Sequence, residues 1–342
     1  MRRCIELAKN GLGTTYPNPL VGSVIVYDGK IIGEGWHKKS GEPHAEVNAL
    51  NSVKNKSLLS KSTIYVSLEP CSHFGKTPPC SDLIIENEIP NVVIGTVDPN
   101  LKVAGNGIKK LIEAGAKVTI GVLEAECKEL NKRFFTFHEK RRPFVILKWA
   151  ESLDGFIAPL EILRNGQKPV WITNEFSRQL VHKWRSEEQS ILVGTQTVID
   201  DNPKLDVRDW TGNNPIRIVL DANNRIPKDS HVFDNQVKTI IFSKSISPNN
   251  EENTIFEGID FEQNLAQQIL HTLHKLQIQS VIIEGGRQTL QTFIDENLWD
   301  EVRLFIGNKP FNLGIKAPII TFKNIEKHSI DNDKLIISRN HD

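Results

Sequence analysis

Apolar runs with strand-like composition alternate along the chain with segments whose apolar residues recur at helical spacing. Two early runs, 21–27 and 30–36, meet at Asp28-Gly29, a dipeptide that favours a tight hairpin turn. The pattern then predicts strands at 63–68, 91–97 and 117–120, and helices at 3–10, after Pro43, from Cys80, at 104–113 and at 123–138. Because strands and helices alternate, we expect a largely parallel sheet covered on both faces, and the initial hairpin makes this sheet mixed.

A basic cluster at 140–142, followed by Pro143, interrupts this alternation. We interpret it as a linker between a first domain at 1–139 and a second domain at 143–342, since 342 residues suit about two domains. The second series predicts strands at 144–149, 190–193, 216–220, 238–242, 280–284, 300–306 and 334–338, and helices at 175–186, 261–276 and 288–296. It therefore predicts a second α/β domain.

Composition and charge exclude several classes of protein. The 42 basic and 42 acidic residues balance, and 39% of the chain is hydrophobic, as in ordinary globular proteins. No apolar run approaches the ~18–20 residues of a membrane span, and the N-terminus lacks the apolar core of a signal peptide. Neither half is basic enough to indicate a nucleic-acid partner, although a small basic excess in the first half suits a small anionic ligand. Four cysteines are too few for a disulfide scaffold, so we expect a reducing, cytoplasmic compartment.

The chemistry of the first half is concentrated in His44, Glu46, Cys71 and Cys80. A catalytic zinc site has three protein ligands and one open position for water, and the histidine with the two cysteines supplies one nitrogen and two sulfurs. Cys71 follows a predicted strand and Cys80 precedes a helix, where backbone N–H groups favour ionised sulfur. Glu46, near the start of a helix, is placed to take a proton from water and pass it to a leaving group.

This arrangement is close to the signature of zinc deaminases, H-x-E followed by P-C-x-x-C. It departs from that signature because eight residues, instead of two, separate the cysteines. One alternative makes His73, within this insert, a fourth ligand; the site would then be structural, and Glu46 would have no water to activate. Cys4 and Cys127 have no partner motif, and we expect them to be small core residues on helices.

Three segments carry a specific resemblance: YPNPLVG at 16–22, HAEV at 44–47 and EPCSHFGKTPPC at 69–80. They closely resemble the bifunctional deaminase/reductases of riboflavin biosynthesis, in which the long insert between the cysteines is the norm. The resemblance covers essentially the whole chain. It implies a cytidine-deaminase-like mixed-sheet domain followed by a dihydrofolate-reductase-like α/β domain. It further implies zinc and NADPH as cofactors, a phosphoribosyl pyrimidine as substrate, and a homo-oligomer, dimer or higher.

For the first domain, the resemblance implies hydrolytic deamination of 2,5-diamino-6-ribosylamino-4(3H)-pyrimidinone 5′-phosphate. Glu46 would shuttle the proton, and Asn18 would hold the pyrimidine. The implied contacts to ribose and phosphate are His37, Lys76, Asp98 and Asn100. Other interpretations stay open, because Asp98-Pro99-Asn100 also matches a common turn and Lys76 also suits an exposed loop charge.

The second domain gives a weaker signal by itself. It lacks a G-x-G-x-x-G motif after a strand, so it does not predict a Rossmann cofactor site. Gly285-Gly286 separates an apolar strand from a helix start, where backbone N–H groups can approach a pyrophosphate, although a simple tight turn is the alternative. The segments KWAESLDG at 148–155, WIT at 171–173 and TVIDDNPKLDVR at 197–208 resemble the reductase domain of the same family. The resemblance implies hydride transfer from NADPH to C1 of the sugar, which converts the ribosyl group to ribityl.

Carried over by position, the resemblance assigns two groups of residues. The nucleotide contacts would be Glu151, Trp171, Thr197, Asp201, Gly286, Arg287, Gln288, Thr289, Leu290, Gln291 and Thr292. The reductase substrate site would be lined by Lys148, Pro169, Arg185, Leu205, Arg208 and Glu284. The two arginines suit a sugar phosphate, since a guanidinium group binds phosphate through two hydrogen bonds. Lys148, on a buried strand, is expected to polarise a substrate oxygen together with Glu284.

One position departs from the family, because Pro169 stands where many relatives carry serine. A contact there would use the backbone only. The segment 160–168 is irregular compared with the family, and we expect it to be mobile.

Two further hypotheses remain open at this point. The first is a zinc deaminase acting on another nucleoside or a tRNA base, with a non-catalytic second domain; the lack of interleaved aromatic and basic residues argues against RNA. The second is a non-catalytic, zinc-stabilised binding protein, in which replacing Glu46 by Gln would leave function intact.

Overall fold

The structure is a computed structural model, and it describes residues 1–72, 78–100, 104–164, 166–245 and 253–340. The chain divides into two compact units, Met1–Arg141 and Arg142–Asp342. The domain limits 1–139 and 143–342, with a linker between them, stay a prediction.

The first unit is built on one mixed sheet. Its strands are β1 Gly22–Tyr27, β2 Lys30–Trp36, β3 Thr63–Leu68, β4 Asn91–Thr96 and β5 Lys117–Ile120. Its helices are α1 Arg2–Lys9, α2 Ala45–Ser52, α3 Cys80–Glu86, α4 Asn106–Glu113, α5 Glu124–Leu130 and α6 Lys132–Glu139. The strand order is β2-β1-β3-β4-β5, in which β1 is antiparallel to β2 and β3, while β3, β4 and β5 are parallel. The predicted mixed sheet is therefore confirmed.

The hairpin turn adopts the predicted geometry. Asp28 and Gly29 have φ of 48° and 68°. Positive φ at both central residues defines the tight turn that matches the twist of the flanking strands. Asp and Gly tolerate this conformation better than most other residues, which is why the dipeptide marks the turn.

Both faces of this sheet are covered. On one face, Ile25, Ile64 and Ile94 pack with Ala49 of α2 and Leu111 of α4. The opposite face packs against α1 and α6 through smaller apolar clusters. Because helices cover both faces, a ligand site is expected at the end of the sheet where the parallel strands β3 and β4 have their carboxyl ends.

The predicted helix at 123–138 is wrong in one respect, because it is two helices that meet at Asn131. The buried Asn131 side chain accepts a hydrogen bond from the Leu20 N–H and donates one to the Leu20 carbonyl, each at 2.8 Å. This pairing fixes the break against the chain segment that precedes β1. Helical periodicity alone does not reveal it, since the partner lies far away in sequence.

The second unit is built on a nine-stranded sheet. Its strands are β6 Phe144–Glu151, β8 Ser190–Gly194, β9 Ile216–Leu220, β10 Thr239–Ser243, β11 Thr254–Gly258, β12 Ser280–Gly285, β13 Glu301–Ile306, β15 Ile325–Ile330 and β16 Asp333–Arg339, with a separate ribbon of β7 Phe156–Ala158 and β14 Ile315–Lys316. Its helices are α7 Glu175–Glu187, α8 Thr195–Asp201, α9 Leu265–Lys275 and α10 Arg287–Asp295. The order is β11-β10-β9-β8-β12-β6-β13-β16-β15, parallel from β11 to β13 and antiparallel at the last two strands.

The predicted α/β architecture of the second unit is confirmed, but several elements were not predicted. These are α8 and the strands β7, β11, β14 and β15. The edge strand β15 is largely exposed, so it lacks the apolar alternation from which a strand is inferred. Within the described parts of the chain, no helix combines the length and the apolar character needed to cross a membrane.

Candidate active sites

The three predicted metal ligands of the first unit lie together. His44 immediately precedes α2, Cys71 follows β3, and Cys80 is the first residue of α3. The His44 Nδ1 atom lies 3.6 Å from Cys71 Sγ and 3.4 Å from Cys80 Sγ, and the three atoms all lie within 4.8 Å of one another. A tetrahedral zinc ion, with bonds of about 2.3 Å to sulfur and about 2.0–2.1 Å to nitrogen, holds such ligands about 3.5 Å apart. The donor set and its spacing therefore fit zinc.

The environment of the two sulfurs favours a thiolate. The Cys80 N–H group, at the start of α3, donates to Cys71 Sγ at 3.3 Å. The pKa of Cys71 is lowered to about 4, and the largest cause is the hydrogen bond from the Cys80 thiol. The hydrogen bonds from His44 and from the Cys80 N–H group lower it further. The hydrogen bond to Cys71 and burial raise the pKa of Cys80 while no cation is present. A bound divalent cation deprotonates a coordinating thiol, so both cysteines can serve as thiolate ligands.

Glu46 lies beside this cluster on the first turn of α2, and only 3% of its surface is exposed. Burial raises the pKa of Glu46 to about 7, with the Cys71 sulfur adding to the effect and His44 opposing it. A cation held by the three ligands would lower this pKa again. The structure thus brings a buried carboxyl group to the metal ligands, as the predicted proton transfer requires.

Asn18 and His37 form a hydrogen-bonded pair close to His44. His37 Nδ1 lies 3.2 Å from the Pro43 carbonyl, which can only accept, so Nδ1 carries the proton. In a neutral ring Nε2 then accepts from Asn18 Nδ2 at 3.0 Å. Burial lowers the pKa of His37, which agrees with a neutral ring. The rings of His37 and His44 meet edge to face with centroids 5.3 Å apart, so these predicted site residues adjoin the metal ligands.

Asp98 and Asn100 lie after β4, at the edge of the sheet where β3 leads to Cys71. The Asp98 carboxylate accepts a hydrogen bond from the Asn100 N–H at 2.8 Å, which closes a short turn of the kind that the sequence also suggested. The predicted contact Lys76 and the alternative fourth ligand His73 lie outside the described residues.

Glu69, the residue that follows β3, was not predicted from the sequence to have a role. Its buried carboxylate accepts hydrogen bonds from the N–H groups of Asp98, Gly105, Gly107 and Ile108 at 3.0–3.3 Å. The only signal in the sequence was an acidic residue directly after a buried apolar strand, beside Pro70-Cys71.

In the second unit, Lys148, Arg185 and Glu284 form a buried cluster at neighbouring strands and α7. Glu284 Oε1 accepts from Arg185 Nε at 3.1 Å, and Oε2 accepts from Arg185 Nη2 at 2.7 Å. Lys148 Nζ lies 3.7 Å from Glu284 Oε2. The predicted substrate residues at 148, 185 and 284 are thus brought together.

The charged groups in this cluster shift one another's pKa values. Burial opposes ionisation of Glu284, but the charges of Arg185 and Lys148 outweigh it and lower the pKa of Glu284 to about 2. Burial lowers the pKa of Lys148, and Glu284 only partly compensates. The guanidinium group of Arg185 binds the Glu284 carboxylate, and its predicted contact with the substrate phosphate stays a prediction.

The other predicted substrate residues of this unit are less closely grouped. Arg208 is exposed, and its Nη1 lies 2.9 Å from Asp206 Oδ1. Only 2% of Leu205 is exposed, and its side chain packs in the core. Pro169 lies in an exposed segment next to Trp171. His182, which the sequence analysis overlooked, lies 3.2 Å from Asp209 through its Nε2 atom.

Two strand-to-helix turns form a cradle suited to a dinucleotide. Gly194 ends β8 before α8, and Gly286 precedes α10 after a cis peptide bond that joins it to Gly285. A Cβ atom on Gly194 would lie 2.7 Å from Thr289 Oγ1, and one on Gly286 would lie 3.5 Å from Thr197 Oγ1. The two turns therefore face each other, and the absence of side chains leaves backbone N–H groups accessible to phosphate.

The remaining predicted nucleotide contacts differ in accessibility. Arg287 and Gln288 are exposed at the start of α10, whereas Leu290 is buried in the core. Gln291 already binds the main chain of Ile319, accepting from its N–H at 2.8 Å. The hydroxyl group of Thr292 donates to the Gln288 carbonyl at 3.0 Å. Of the predicted stretch 286–292, Gly286 and Thr289 are seen at the cradle, and the other nucleotide contacts stay predictions.

The three further predicted nucleotide contacts each have a partner within the protein. Glu151 accepts from Trp149 Nε1 at 3.0 Å, and burial raises the pKa of Glu151. Trp171 is 56% exposed, and the Arg178 guanidinium group lies 4.7 Å from the centre of its ring. Asp201 forms an ion pair with Arg164.

Arg164 was also overlooked, because its role depends on α8. Arg164 belongs to the segment 160–168, which was expected to be mobile. Besides its ion pair with Asp201, its Nη1 atom lies 3.7 Å from Asp200 Oδ2. Gln167 Nε2 donates to the Ile199 carbonyl at 2.7 Å. These contacts attach the described part of that segment to α8.

Comparison with known families gives one match to each unit. Residues 1–96 match the cytidine and deoxycytidylate deaminase zinc-binding region. Residues 143–330 match the RibD C-terminal domain.

Whole-chain comparisons agree with these matches. The chain is 40% identical over 336 residues to the riboflavin biosynthesis protein RibD of Aquifex aeolicus, covering 96% of this chain and 91% of that protein. It is 41% identical to RibD of Actinobacillus pleuropneumoniae, covering 90% and 83%. A solved structure from Thermotoga maritima, described as a diaminohydroxyphosphoribosylaminopyrimidine deaminase/5-amino-6-(5-phosphoribosylamino)uracil reductase, is similar with a TM-score of 0.89 and 40% identity, covering 99% of this chain and 97% of that one. RibD of Acinetobacter baumannii is similar with a TM-score of 0.86 and 33% identity, covering 99% and 97%.

Proposed function

The chain belongs to the RibD family of riboflavin biosynthesis proteins, and on that premise we propose which of its residues carry each of its two reactions. It is a bifunctional enzyme, a zinc-dependent deaminase followed by an NADPH-dependent reductase. The expected fold class, a cytidine-deaminase-like domain and a dihydrofolate-reductase-like domain, is confirmed.

In the first unit, His44, Cys71 and Cys80 hold the zinc ion. When bound, zinc supplies the Lewis acidity that makes water nucleophilic near neutral pH. Glu46 takes a proton from the attacking water and delivers it to the exocyclic amine of the pyrimidine, which leaves as ammonia while the ring carbon keeps the oxygen. The single observation that carries this assignment is the convergence of one imidazole nitrogen and two sulfurs within 4.8 Å beside a buried carboxyl group.

Asn18 is the residue that holds the pyrimidine. Its amide orientation follows from His37, which accepts from Asn18 Nδ2 and thereby turns Asn18 Oδ1 away from the imidazole. Asn18 can then present an acceptor to a ring N–H group. Asp98 and Asn100 serve the ribose and phosphate, because they lie at the same sheet edge as Cys71.

In the second unit, the cradle formed around Gly194 and Gly286 binds the pyrophosphate of NADPH. When bound, NADPH supplies the hydride that reaches C1 of the ribosyl group. Lys148 donates a hydrogen bond to the ring oxygen of the sugar, which must gain a proton as the ring opens. Glu284 keeps Lys148 oriented and favours its charged form, and Arg185 fixes Glu284.

Substrate and setting follow from these assignments. The substrate is 2,5-diamino-6-ribosylamino-4(3H)-pyrimidinone 5′-phosphate, and its deaminated product is the substrate of the reductase. The exposed Arg208 binds the phosphate of that product, for which it exchanges its contact with Asp206. We further infer a cytoplasmic location, because thiol ligands and NADPH both require reducing surroundings. The expected homo-oligomer and the absence of a nucleic-acid partner remain predictions.

Incubation of the purified enzyme with the diaminopyrimidine substrate, with and without NADPH, tests both reactions. Mass analysis should show amine-to-oxygen exchange without NADPH, and the same exchange with two added hydrogens when NADPH is present. Absence of the first product from a zinc-loaded enzyme would refute the deaminase assignment. A deaminated product that is never reduced would refute the reductase assignment.

A further inference from the structure

Glu69 is an acidic residue that the two reactions do not use, although it lies two positions before Cys71. Only 4% of its surface is exposed. Its Oε2 atom accepts from the N–H groups of Asp98 at 3.3 Å and Gly105 at 3.0 Å. Its Oε1 atom accepts from those of Gly107 at 3.0 Å and Ile108 at 3.3 Å. One carboxylate therefore binds the main chain just after β4, at Asp98, and the main chain at the start of α4.

No lysine or arginine forms an ion pair with Glu69 within the described ranges of the chain. Its charge is compensated instead by four backbone N–H groups, two of which belong to the first turn of α4. Gly105, which precedes this helix, has no side chain to cap it, so the carboxylate takes the place of a capping side chain.

Gly107 shows how closely α4 must approach the end of β3. A Cβ atom at this position would lie 2.1 Å from the Pro70 carbonyl oxygen and 3.3 Å from Glu69 Oε1. Any larger residue would push α4 away from the segment that leads to Cys71. The start of α4 is therefore packed directly against the residues that join β3 to Cys71.

We propose that Glu69 is a positioning residue for deamination, which fixes the Asp98–Asn100 turn at a set distance from the metal ligands. The inference rests on the proposed function, which gives Asp98 and Asn100 to the ribose and phosphate of the substrate. Glu69 holds the main chain at Asp98, and the Asp98 carboxylate in turn holds Asn100 at 2.8 Å. The reacting group and the phosphoribosyl group of the substrate are thereby aligned by one buried side chain.

Glu69→Gln is the most direct test, because it preserves the size of the side chain but replaces one acceptor oxygen by an NH2 group, which can only donate. That amide group then faces two backbone N–H groups, which leaves donors unsatisfied in a buried site. Glu113→Gln is the matched control, since Glu113 is an exposed glutamate at the other end of the same helix.

Four measurements distinguish positioning from general damage. We expect the KM for the diaminopyrimidine substrate to rise about tenfold or more in Glu69→Gln, while kcat changes much less. Backbone amides at 105, 107 and 108 should exchange with deuterium faster than in the wild type. Zinc content, the visible spectrum of the cobalt-substituted enzyme, and NADPH-dependent reduction should be unchanged. Glu113→Gln should match the wild type in every measurement.

Unchanged amide exchange in Glu69→Gln would overturn the inference, as would faster exchange with an unchanged KM. A variant that loses zinc or shows an altered cobalt spectrum would also overturn it, because Glu69 would then support the metal site itself. If Glu69→Gln does not fold, Glu69→Asp keeps the charge but withdraws the carboxylate by one methylene, and the same results are expected of it. Wild-type enzyme that does not deaminate refutes the proposed function, whereas an active wild type with unaffected variants refutes only this inference.

Discussion

Arg185 and Glu284 are joined by two hydrogen bonds, 3.1 Å and 2.7 Å long, although 99 residues separate them in sequence. The pair connects α7 to the end of β12 and lies against Lys148. Two cations thus share one buried carboxylate. The ionised form of Glu284 is therefore tied to the stability of the second unit as well as to its chemistry.

Glu284→Gln should reduce the stability of the second unit in a pH-dependent way. The pKa of Glu284 falls from 4.5 to about 2 on folding, so its ionised form stabilises the fold above pH 4.5, and this contribution is lost as the pH falls from 4.5 towards 2. The difference in unfolding free energy between wild type and variant should be on the order of 3 kcal/mol at pH 6–7 and should shrink towards pH 3. Denaturant unfolding across this pH range measures it. The exposed Glu262→Gln serves as control, and a difference that stays constant with pH would contradict the prediction.

Glu46→Gln should abolish most deamination without removing the metal. Glutamine cannot accept and return the proton, and loss of such a group typically lowers the rate by about 10²–10⁴. Zinc content and NADPH-dependent reduction should remain at wild-type levels. Ammonia release and mass analysis measure the effect, with the exposed Glu42→Gln as control. Deamination at the wild-type rate would exclude Glu46 as the group that transfers the proton.

Cys80→Ser should remove the metal and deamination together. The wild type should bind about one zinc ion per chain, and loss of one thiolate from a three-ligand site should lower affinity strongly. Cys127→Ser is the control, because Cys127 is a buried cysteine outside the ligand cluster. Metal analysis after dialysis, with assays of both reactions, tests this. Full zinc retention by Cys80→Ser would exclude Cys80 from the ligand set.

Gly194→Ala should weaken NADPH binding. Its Cβ atom would lie 2.7 Å from Thr289 Oγ1 and would displace the start of α10 from the cradle. Overpacking of this kind costs about 1–3 kcal/mol, so the dissociation constant should rise about tenfold. Fluorescence titration with NADPH measures it, and the exposed Gly258→Ala is the control.

The double variant Gly194→Ala/Thr289→Ala separates this clash from other effects. Since Thr289 is itself a predicted nucleotide contact, the double variant is compared with Thr289→Ala alone. Adding Gly194→Ala should raise the dissociation constant much less in the Thr289→Ala background than in the wild type. An equal rise in both backgrounds would show that the contact with the Thr289 hydroxyl group is not the cause.

The sequence sufficed for the sheet and the metal ligands of the first unit because their signals are local. The hairpin at Asp28-Gly29, the strands and the motif around His44 each depend on residues that are neighbours in the chain. Cys71 and Cys80 each adjoin a well-predicted element, so their approach to His44 followed from the topology. The metal site could therefore be inferred before its geometry was known.

Contacts between distant residues could not be inferred in this way. The pairing of Arg185 with Glu284 was not predicted because the two residues lie on different elements, and the pairing of Arg164 with Asp201 depends on a helix that was not predicted. Glu69 was overlooked for the same reason, since its partners begin 29 residues later. Such groups acquire their roles only when the sheet brings their elements together.

The two hydrogen bonds between Asn131 and the main chain of Leu20 set a lower limit on how far the first unit can be shortened. The region shared with the wider deaminase family ends at residue 96, well before Asn131. A chain cut at that boundary would lose both hydrogen bonds to the Leu20 main chain, two residues from Asn18. An isolated fragment of the first unit must therefore extend beyond Asn131 to keep the segment around Asn18, the proposed pyrimidine contact, in place.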